Sequence, residues 1–162
     1  NEGIPKEIKL EFDYEPGKYY KVKLASKIDI TRISRTGKFA IRLNAYEPYK
    51  FGAEITTNIT ENTIVNRGTL VTTGVITVNI TDPTSLLTVQ LAGTDKKVIV
   101  GHALIAGDTV VIDLENEKVY KNTHSIMADC YIESDFFDIP TGEFNISVSS
   151  GSATLTFKER WL

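Results

Sequence analysis

The segment SATLTFKERW, residues 152–161, alternates apolar and polar side chains almost without interruption. Successive side chains of a β-strand point to opposite faces, so this row buries one face and exposes the other. The apolar side belongs to Ala153, Leu155, Phe157 and Trp161, and the polar side to Thr154, Thr156, Lys158 and Arg160. The pattern predicts a long strand that borders a core.

The same two-residue period runs through the rest of the sequence. It is clear in Ile8–Tyr14, Val22–Ile30 and Phe39–Ala45, and it continues in shorter rows after Gly52. We predict the later strands at Glu54–Thr60, Gly68–Thr73, Val75–Thr81, Leu86–Ala92, Lys97–His102, Thr109–Leu114, Lys118–Tyr120 and Glu143–Ser149. Many short strands separated by turn residues favour a sandwich or barrel.

No stretch of helical length shows the apolar stripe of an amphipathic helix, so the predicted fold class is all-β, as a β-sandwich. Ser150-Gly151 stands between two alternating rows and predicts a tight hairpin. Two segments look irregular. Tyr46–Ala53 carries Pro48 and Gly52 and is the expected domain boundary, and Thr123–Gly142 is a long connection.

Composition excludes several classes of protein. The 162 residues carry a net charge of −3 with dispersed lysines and arginines, which does not suit nucleic-acid binding. No apolar run reaches the roughly 20 residues that span a bilayer, so we expect no membrane partner. Cys130 is the single cysteine, so no disulfide forms within the chain. Because the first residue is Asn1, we expect a fragment or a processed product.

Catalytic and metal-binding patterns are scarce. His102 ends an apolar strand and suits a structural role, while His124 falls in a predicted loop. A nucleophilic pair of Cys130 with a histidine has no local support, and a lone cysteine is usually a buried apolar residue. The acidic run of Asp129, Glu133, Asp135 and Asp138 offers oxygen ligands but lacks the spacing of a calcium loop. We expect no enzyme activity, no catalytic residues, no metal and no cofactor.

Aromatic side chains in or beside loops could stack on sugar rings or contact a partner protein. The four that qualify are Tyr120, Tyr131, Phe136 and Phe137. Aromatic residues at strand spacing belong to cores more often than to binding sites. Both interpretations stay open for each of the four.

Several motifs resemble the siphophage distal tail protein family. GKFAIRLNAYEPY, residues 37–49, is similar to the strand and acidic-Pro-Tyr corner that close the ring-forming domain of that family. GDTVVID, residues 107–113, resembles a strand entry of the family, and FDIPTGEFNI, residues 137–146, resembles its Pro-Gly-x-Asn corner. TLTFKERWL, residues 154–162, resembles the basic-aromatic strand with which such chains end.

The resemblance implies an architecture and a role. Residues 1–52 would form the end of an amino-terminal ring-forming belt domain, and residues 53–162 a galectin-like β-sandwich. Members of the family are structural components of the phage tail tip or baseplate, in phages or prophages, and the full-length protein forms a hexameric ring.

The same resemblance implies partners and a location. Expected partners are the tail tube, the tape-measure protein, the tail-associated lysin and the receptor-binding protein, within a virion tail assembled in the bacterial cytoplasm. The alternative function is a carbohydrate-binding module that recognises host cell-wall glycan, and a hydrolase on a β-sandwich is a weaker third.

Overall fold

The computed structural model describes residues 7–25, 30–33, 36–39, 41–59 and 63–162 of the chain. Strands carry almost all of the regular structure in these residues, and one short 3₁₀ helix lies at Met127–Asp129. The first eight strands are β1 (Ile8–Glu11), β2 (Tyr19–Leu24), β3 (Ile30–Ile33), β4 (Thr36–Phe39), β5 (Leu43–Ala45), β6 (Lys50–Asn58), β7 (Ile64–Asn66) and β8 (Gly74–Asn79). The others are β9 (Leu87–Leu91), β10 (Lys97–Val100), β11 (Thr109–Asp113), β12 (Lys118–Lys121), β13 (His124–Ser125), β14 (Gly142–Phe144), β15 (Ile146–Val148) and β16 (Ser152–Trp161).

The chain divides into two compact units. Unit 1 comprises residues 1–53 with 161–162, and unit 2 comprises residues 54–160. The division falls inside β6, and only residues 46–49 of the expected irregular segment Tyr46–Ala53 lie outside a strand. Phe51 lies opposite Tyr19 of β2, so this part of the expected boundary segment belongs to a paired strand.

Unit 1 is built around an antiparallel sheet centred on β2. Strand β1 pairs with β2 through Ile8 opposite Val22, and β5 pairs with β2 through Ala45 opposite Val22. Tyr19, Val22 and Phe51 are buried between the side chains of this unit. Strands β3 and β4 form a separate hairpin. The predicted strand across residues 26–29 lies outside the described residues, as does Thr60.

Unit 2 has two β layers. In the larger layer β16, β8, β11, β12 and β13 follow one another, and the end of β6 lies beside β16. Strand β8 pairs antiparallel with both of its neighbours, and its Ile76 lies opposite Leu155 of β16 on one side and Ile112 of β11 on the other. The second layer has the order β10, β9, β15.

One hydrophobic core joins the two layers of unit 2. It takes alternate side chains from the larger layer and matching ones from β9, β10 and β15, such as Val89, Val98 and Ile146. Alternation along each strand is what allows one face of each sheet to enter this core. The predicted all-β sandwich is confirmed.

The strand predicted at Gly68–Thr73 is wrong in position. The strand in this region is β7, which precedes the Asn66-Arg67-Gly68 turn and pairs with β14. Residues 70 and 72 make only isolated bridges, to Arg160 and Ile139. Threonine and valine suit strands in general. Here the two bridge partners, Arg160 and Ile139, lie in different parts of the chain, so no continuous run of strand pairing develops.

The tight hairpin predicted at Ser150-Gly151 is also wrong. Strand β15 pairs with β9 in the second layer, whereas β16 pairs with β8 in the larger layer. The turn therefore carries the chain from one layer of the sandwich to the other. Similarly, the predicted strand Glu143–Ser149 is two strands, because Asn145 separates β14 from β15.

Candidate assembly surfaces

Strand β1 offers an edge in unit 1. Among the described residues it pairs with a strand on one side only, β2, and its Ile8 side chain is exposed. An edge strand presents backbone N–H and C=O groups that can pair with another chain. Within the described part of unit 1, the outer edge of β1 is therefore a candidate position for an added strand.

Two exposed aromatic rings lie in the turn that follows β1. Phe12 and Tyr14 stack with their ring centroids 5.2 Å apart, and Tyr14 is 75% exposed. Sequence alternation assigned both to a strand, but β1 ends at Glu11 because the segment Asp13-Tyr14-Glu15-Pro16-Gly17 forms the turn. That turn-forming composition was the signal that could have identified the exposed pair.

Ion pairs hold the turn against the sheet. The Nζ of Lys50 donates to Glu15 Oε2 at 2.7 Å, and Lys18 lies 3.8 Å from the other oxygen of the same carboxylate. The hydrogen bond from Lys50 lowers the pKa of Glu15, and the same bond raises the pKa of Lys50. The aromatic pair thus stands on a turn with defined internal bonds, which reduces the ordering cost of a contact made through it.

Lysines cover the rings of the buried aromatic group in unit 1. Tyr19 and Phe51 stack with centroids 5.9 Å apart. Lys9 lies 4.6 Å from the centroid of Tyr19, and Lys21 lies 4.0 Å from that of Phe51. Cation–π contacts of this kind place charge over the ring faces. This face of the sheet is therefore charged, whereas Phe12 and Tyr14 form an exposed, stacked aromatic pair in the same unit.

The four aromatic residues singled out in the sequence do not share one environment. Tyr120 lies in β12 and is half-buried, and Phe136 is partly buried against the core of unit 2. Tyr131 is 50% exposed, whereas Phe137 is 1% exposed. The expectation that Phe137 is accessible from a loop is wrong, because its ring fills the core. Sugar or partner contact by Tyr120, Tyr131 and Phe136 stays a prediction.

Tyr131 rests on a glycine. A Cβ atom at Gly101 would collide with Cε1 of the Tyr131 ring, so only glycine allows the ring to lie there. Nearby, His102 Nδ1 lies 2.7 Å from Asp129 Oδ2. An aromatic side chain and two polar side chains therefore occur together at the end of β10.

His124 and Cys130, also considered in the sequence, lie in different environments. His124 is exposed in β13, and burial raises the pKa of the Cys130 thiol, which disfavours the thiolate. Within the part of the chain that the structure describes, no three His, Cys, Asp or Glu side chains converge as metal ligands. Nor does any helix of the described residues have the length and apolarity to cross a membrane.

Comparison with known proteins places this architecture. The family model described as siphovirus-type tail component, C-terminal domain, matches residues 67–161. The model of the phage tail protein RIFT-related domain matches residues 4–45. The distal tail protein of Bacillus phage SPP1 is 26% identical over 165 residues, an alignment that covers 96% of this chain.

A solved structure agrees at the level of the fold. The crystal structure of SPP1 Dit, described as a paradigm of the hub adsorption apparatus in phages that infect Gram-positive bacteria, matches 96% of this chain with a TM-score of 0.79 and 21% identity. The chain spans 64% of the length of the SPP1 distal tail protein. Because the first family model covers more than half of the sequence, this chain belongs to the siphovirus-type tail component family.

Proposed function

We propose that this chain is part of a distal tail protein, a structural component of a phage tail tip that joins the tail tube to the adsorption apparatus. The observation that carries the proposal is the order of the two family matches, residues 4–45 followed by residues 67–161. The work of such a protein is to hold its neighbours, and it catalyses no reaction.

The two halves of the chain have different roles in this proposal. Residues 1–52 are the end of a belt domain through which the full-length protein forms a hexameric ring, and residues 53–162 are a galectin-like sandwich. The outer edge of β1, which pairs with no strand among the described residues, and the exposed Phe12–Tyr14 pair support a role of unit 1 in contacts between chains. Tail tube, tape-measure, tail-associated lysin and receptor-binding proteins are the partners, in the virion tail.

Immunogold electron microscopy of phage particles tests the location. Antibodies raised against this chain should label the tail tip, while antibodies against a capsid protein label only the head. Label on the head, or no label on intact tails that are otherwise stained, contradicts the proposal. Negative-stain images of the purified full-length protein should show six-fold rings, and a monodisperse monomer at all concentrations contradicts the ring.

A second function at the same tip is contact with cell-wall glycan, and the placement of Tyr131 supports it. Its half-exposed ring lies on Gly101, and the His102–Asp129 pair stands beside that glycine in the chain. Aromatic rings stack on sugars, and polar side chains bind their hydroxyl groups.

Pull-down of the protein with purified host cell walls tests this function. Retention should be lost in Tyr131→Ala and kept in Tyr14→Ala, which removes an exposed ring from unit 1. Retention that is equal in all three proteins, or absent in the unaltered one, excludes the glycan site while leaving the structural role intact.

A further inference from the structure

Strand β10 is an outer strand of unit 2 with a strong tendency to pair. It lies at one end of the second layer, next to β9, and its residues Val98, Ile99 and Val100 are all buried. Consecutive β-branched residues with few charges are typical of segments that add to other strands when their edge is open. The outer edge of β10 would therefore be open to pairing with another chain unless something covers it.

A segment of the same chain covers this edge. We name residues 129–135 the strap. The N–H of Gly101 donates to Asp129 O at 2.8 Å, and the N–H of Tyr131 donates to Ile99 O at 3.0 Å. Further along, the N–H of Asp135 donates to Lys97 O at 2.8 Å. The strap thus bonds to β10 at Lys97 and Ile99, and to Gly101, the residue that follows β10.

Ser134 completes the cover by replacing a backbone partner. Its Oγ accepts the N–H of Ile99 at 3.0 Å and donates to the carbonyl of the same residue at 3.1 Å. A backbone N–H without a partner would otherwise remain on the edge, available to another strand. The Lys97 carbonyl, both backbone groups of Ile99 and the Gly101 N–H therefore have partners in the backbone of the strap or in the Ser134 hydroxyl.

The strap covers the edge of β10 without forming a regular strand of the sandwich. A turn closed by the Ser134 N–H and the Tyr131 carbonyl, 2.9 Å apart, projects Ile132 fully into solvent. Its ends are fixed by the His102–Asp129 contact on one side and by the buried Phe137 just beyond the other. The middle of the strap is attached to the sandwich mainly by the bonds to β10.

We propose that the strap is an edge guard, which prevents a second copy of this chain from pairing with unit 2 through β10. The inference stands apart from the proposed function, because it concerns only the bonds between the strap and β10. It predicts that freeing the edge adds an association by strand addition that the unaltered protein lacks. Each backbone group freed is expected to raise the association constant about fivefold, the equivalent of one hydrogen bond.

The open-strap variant Tyr131→Pro/Ser134→Ala/Asp135→Pro tests the proposal in the complete chain. The two prolines remove the N–H groups that bind Ile99 O and Lys97 O, and the alanine removes the hydroxyl that binds the Ile99 N–H. We expect a concentration-dependent increase in mass in analytical ultracentrifugation, with an unchanged far-UV circular dichroism spectrum. A folded open-strap variant that keeps the mass of the unaltered protein at every concentration overturns the proposal.

A fourth substitution tests whether association uses β10. Ile99→Pro removes the backbone N–H that faces the strap. Thr88 lies opposite Ile99 in β9, but its backbone groups bond to Ser149, so no hydrogen bond joins Ile99 to Thr88. The β9–β10 pairing is therefore spared while strand addition is blocked. Added to the open-strap variant, Ile99→Pro should restore the mass of the unaltered protein. Additional association that persists shows that another surface is responsible and overturns the proposal.

Two single substitutions test the same proposal if the triple variant does not fold. Ser134→Ala alone frees one N–H of β10, whereas Ile132→Ala alters an exposed strap residue whose side chain points into solvent. The first should associate more strongly than the unaltered protein and the second should not. Equal association constants for the two single variants contradict the guard.

Discussion

The carboxylate of Asp108 lies 2.9 Å from the Nζ of Lys121 and is almost fully enclosed by the loops of unit 2. It also accepts the N–H of Ile105 at 2.9 Å and the side-chain amide of Asn122 at 2.7 Å. The bond from the Ile105 backbone, followed by that from Lys121, lowers the pKa of Asp108 from 3.8 to about 2. One carboxylate therefore joins the loop before β11 to the end of β12.

This arrangement predicts a loss of stability in acid. A carboxyl group whose pKa is lower in the folded state stabilises the fold above its unfolded pKa, and this contribution disappears as the pH falls toward the folded pKa. For Asp108 the window is about pH 4 to pH 2. Urea unfolding across this window should show a falling midpoint for the unaltered protein.

The variant Asp108→Asn assigns the effect to this residue. It should be less stable than the unaltered protein at pH 7, with a shallower decline between pH 4 and pH 2, because the titrating group is gone. Asp95→Asn serves as the control, since Asp95 is exposed in the turn between β9 and β10. Parallel pH profiles for the unaltered protein and Asp108→Asn would show that the decline has another origin.

The turn between β12 and β13 carries backbone strain. Lys121 lies opposite His124, so Asn122 and Thr123 form a two-residue loop, and their φ angles are 45° and 86°. Such loops favour glycine at the second position, and a β-branched residue there is strained. We expect Thr123→Gly to stabilise the protein by about 1 kcal/mol, after the entropy cost of glycine is subtracted.

Thermal unfolding measures this gain as a rise of about 2–4 °C in the midpoint. Lys118→Gly provides the contrast, because Lys118 lies in β12 and is not among the residues with positive φ. Glycine should lower the midpoint there. A Thr123→Gly variant that melts at or below the temperature of the unaltered protein would refute the strain.

Local alternation predicted most strands of this protein, because that pattern is fixed by which face of a strand meets the core. It identified β16 with the same ends, and β8, β9, β11 and β12 with ends that differ by at most two residues. It did not predict which strands pair, since pairing depends on residues far apart in the sequence. Ser150-Gly151 resembles a hairpin turn locally, yet the strands on its two sides enter different layers.

Gly151 makes that passage between layers possible. Its φ is +81°, and a Cβ atom there would collide with the carbonyl oxygen of Asn79 in β8. Gly151→Ala should therefore combine backbone strain with a clash against backbone and destabilise the protein by about 3 kcal/mol. Chemical denaturation with circular dichroism detection measures the loss.

Gly93 is a matched control for this substitution. Its φ is +78°, and nothing lies within 4 Å of the position a Cβ atom would take. Gly93→Ala should cost only the conformational strain, about 1 kcal/mol. If the two variants lose equal stability, the contact with Asn79 contributes nothing and the glycine at 151 is required for its φ angle alone.

The burial of Phe136 and Phe137 could not be predicted from the sequence. Phe136 and Phe137 are adjacent in a long connection, and no periodicity distinguishes them. In the structure Ile139 and Thr72 exchange backbone hydrogen bonds at 2.7 and 3.0 Å, which fixes the connection against the sandwich beside these rings. This long-range contact decides which ring is buried, and neighbours in the sequence do not encode it.

The last prediction follows from the burial of Phe137. Its ring is 1% exposed within the core of unit 2, so Phe137→Ala should leave a cavity and cost about 3–5 kcal/mol. Tyr131→Ala removes a ring that is 50% exposed and should cost less than about 1 kcal/mol. Urea denaturation of the two variants distinguishes core from surface directly. If Phe137→Ala unfolds at the same urea concentration as Tyr131→Ala, the connection is not packed as described, and Phe137 becomes available again as a contact residue.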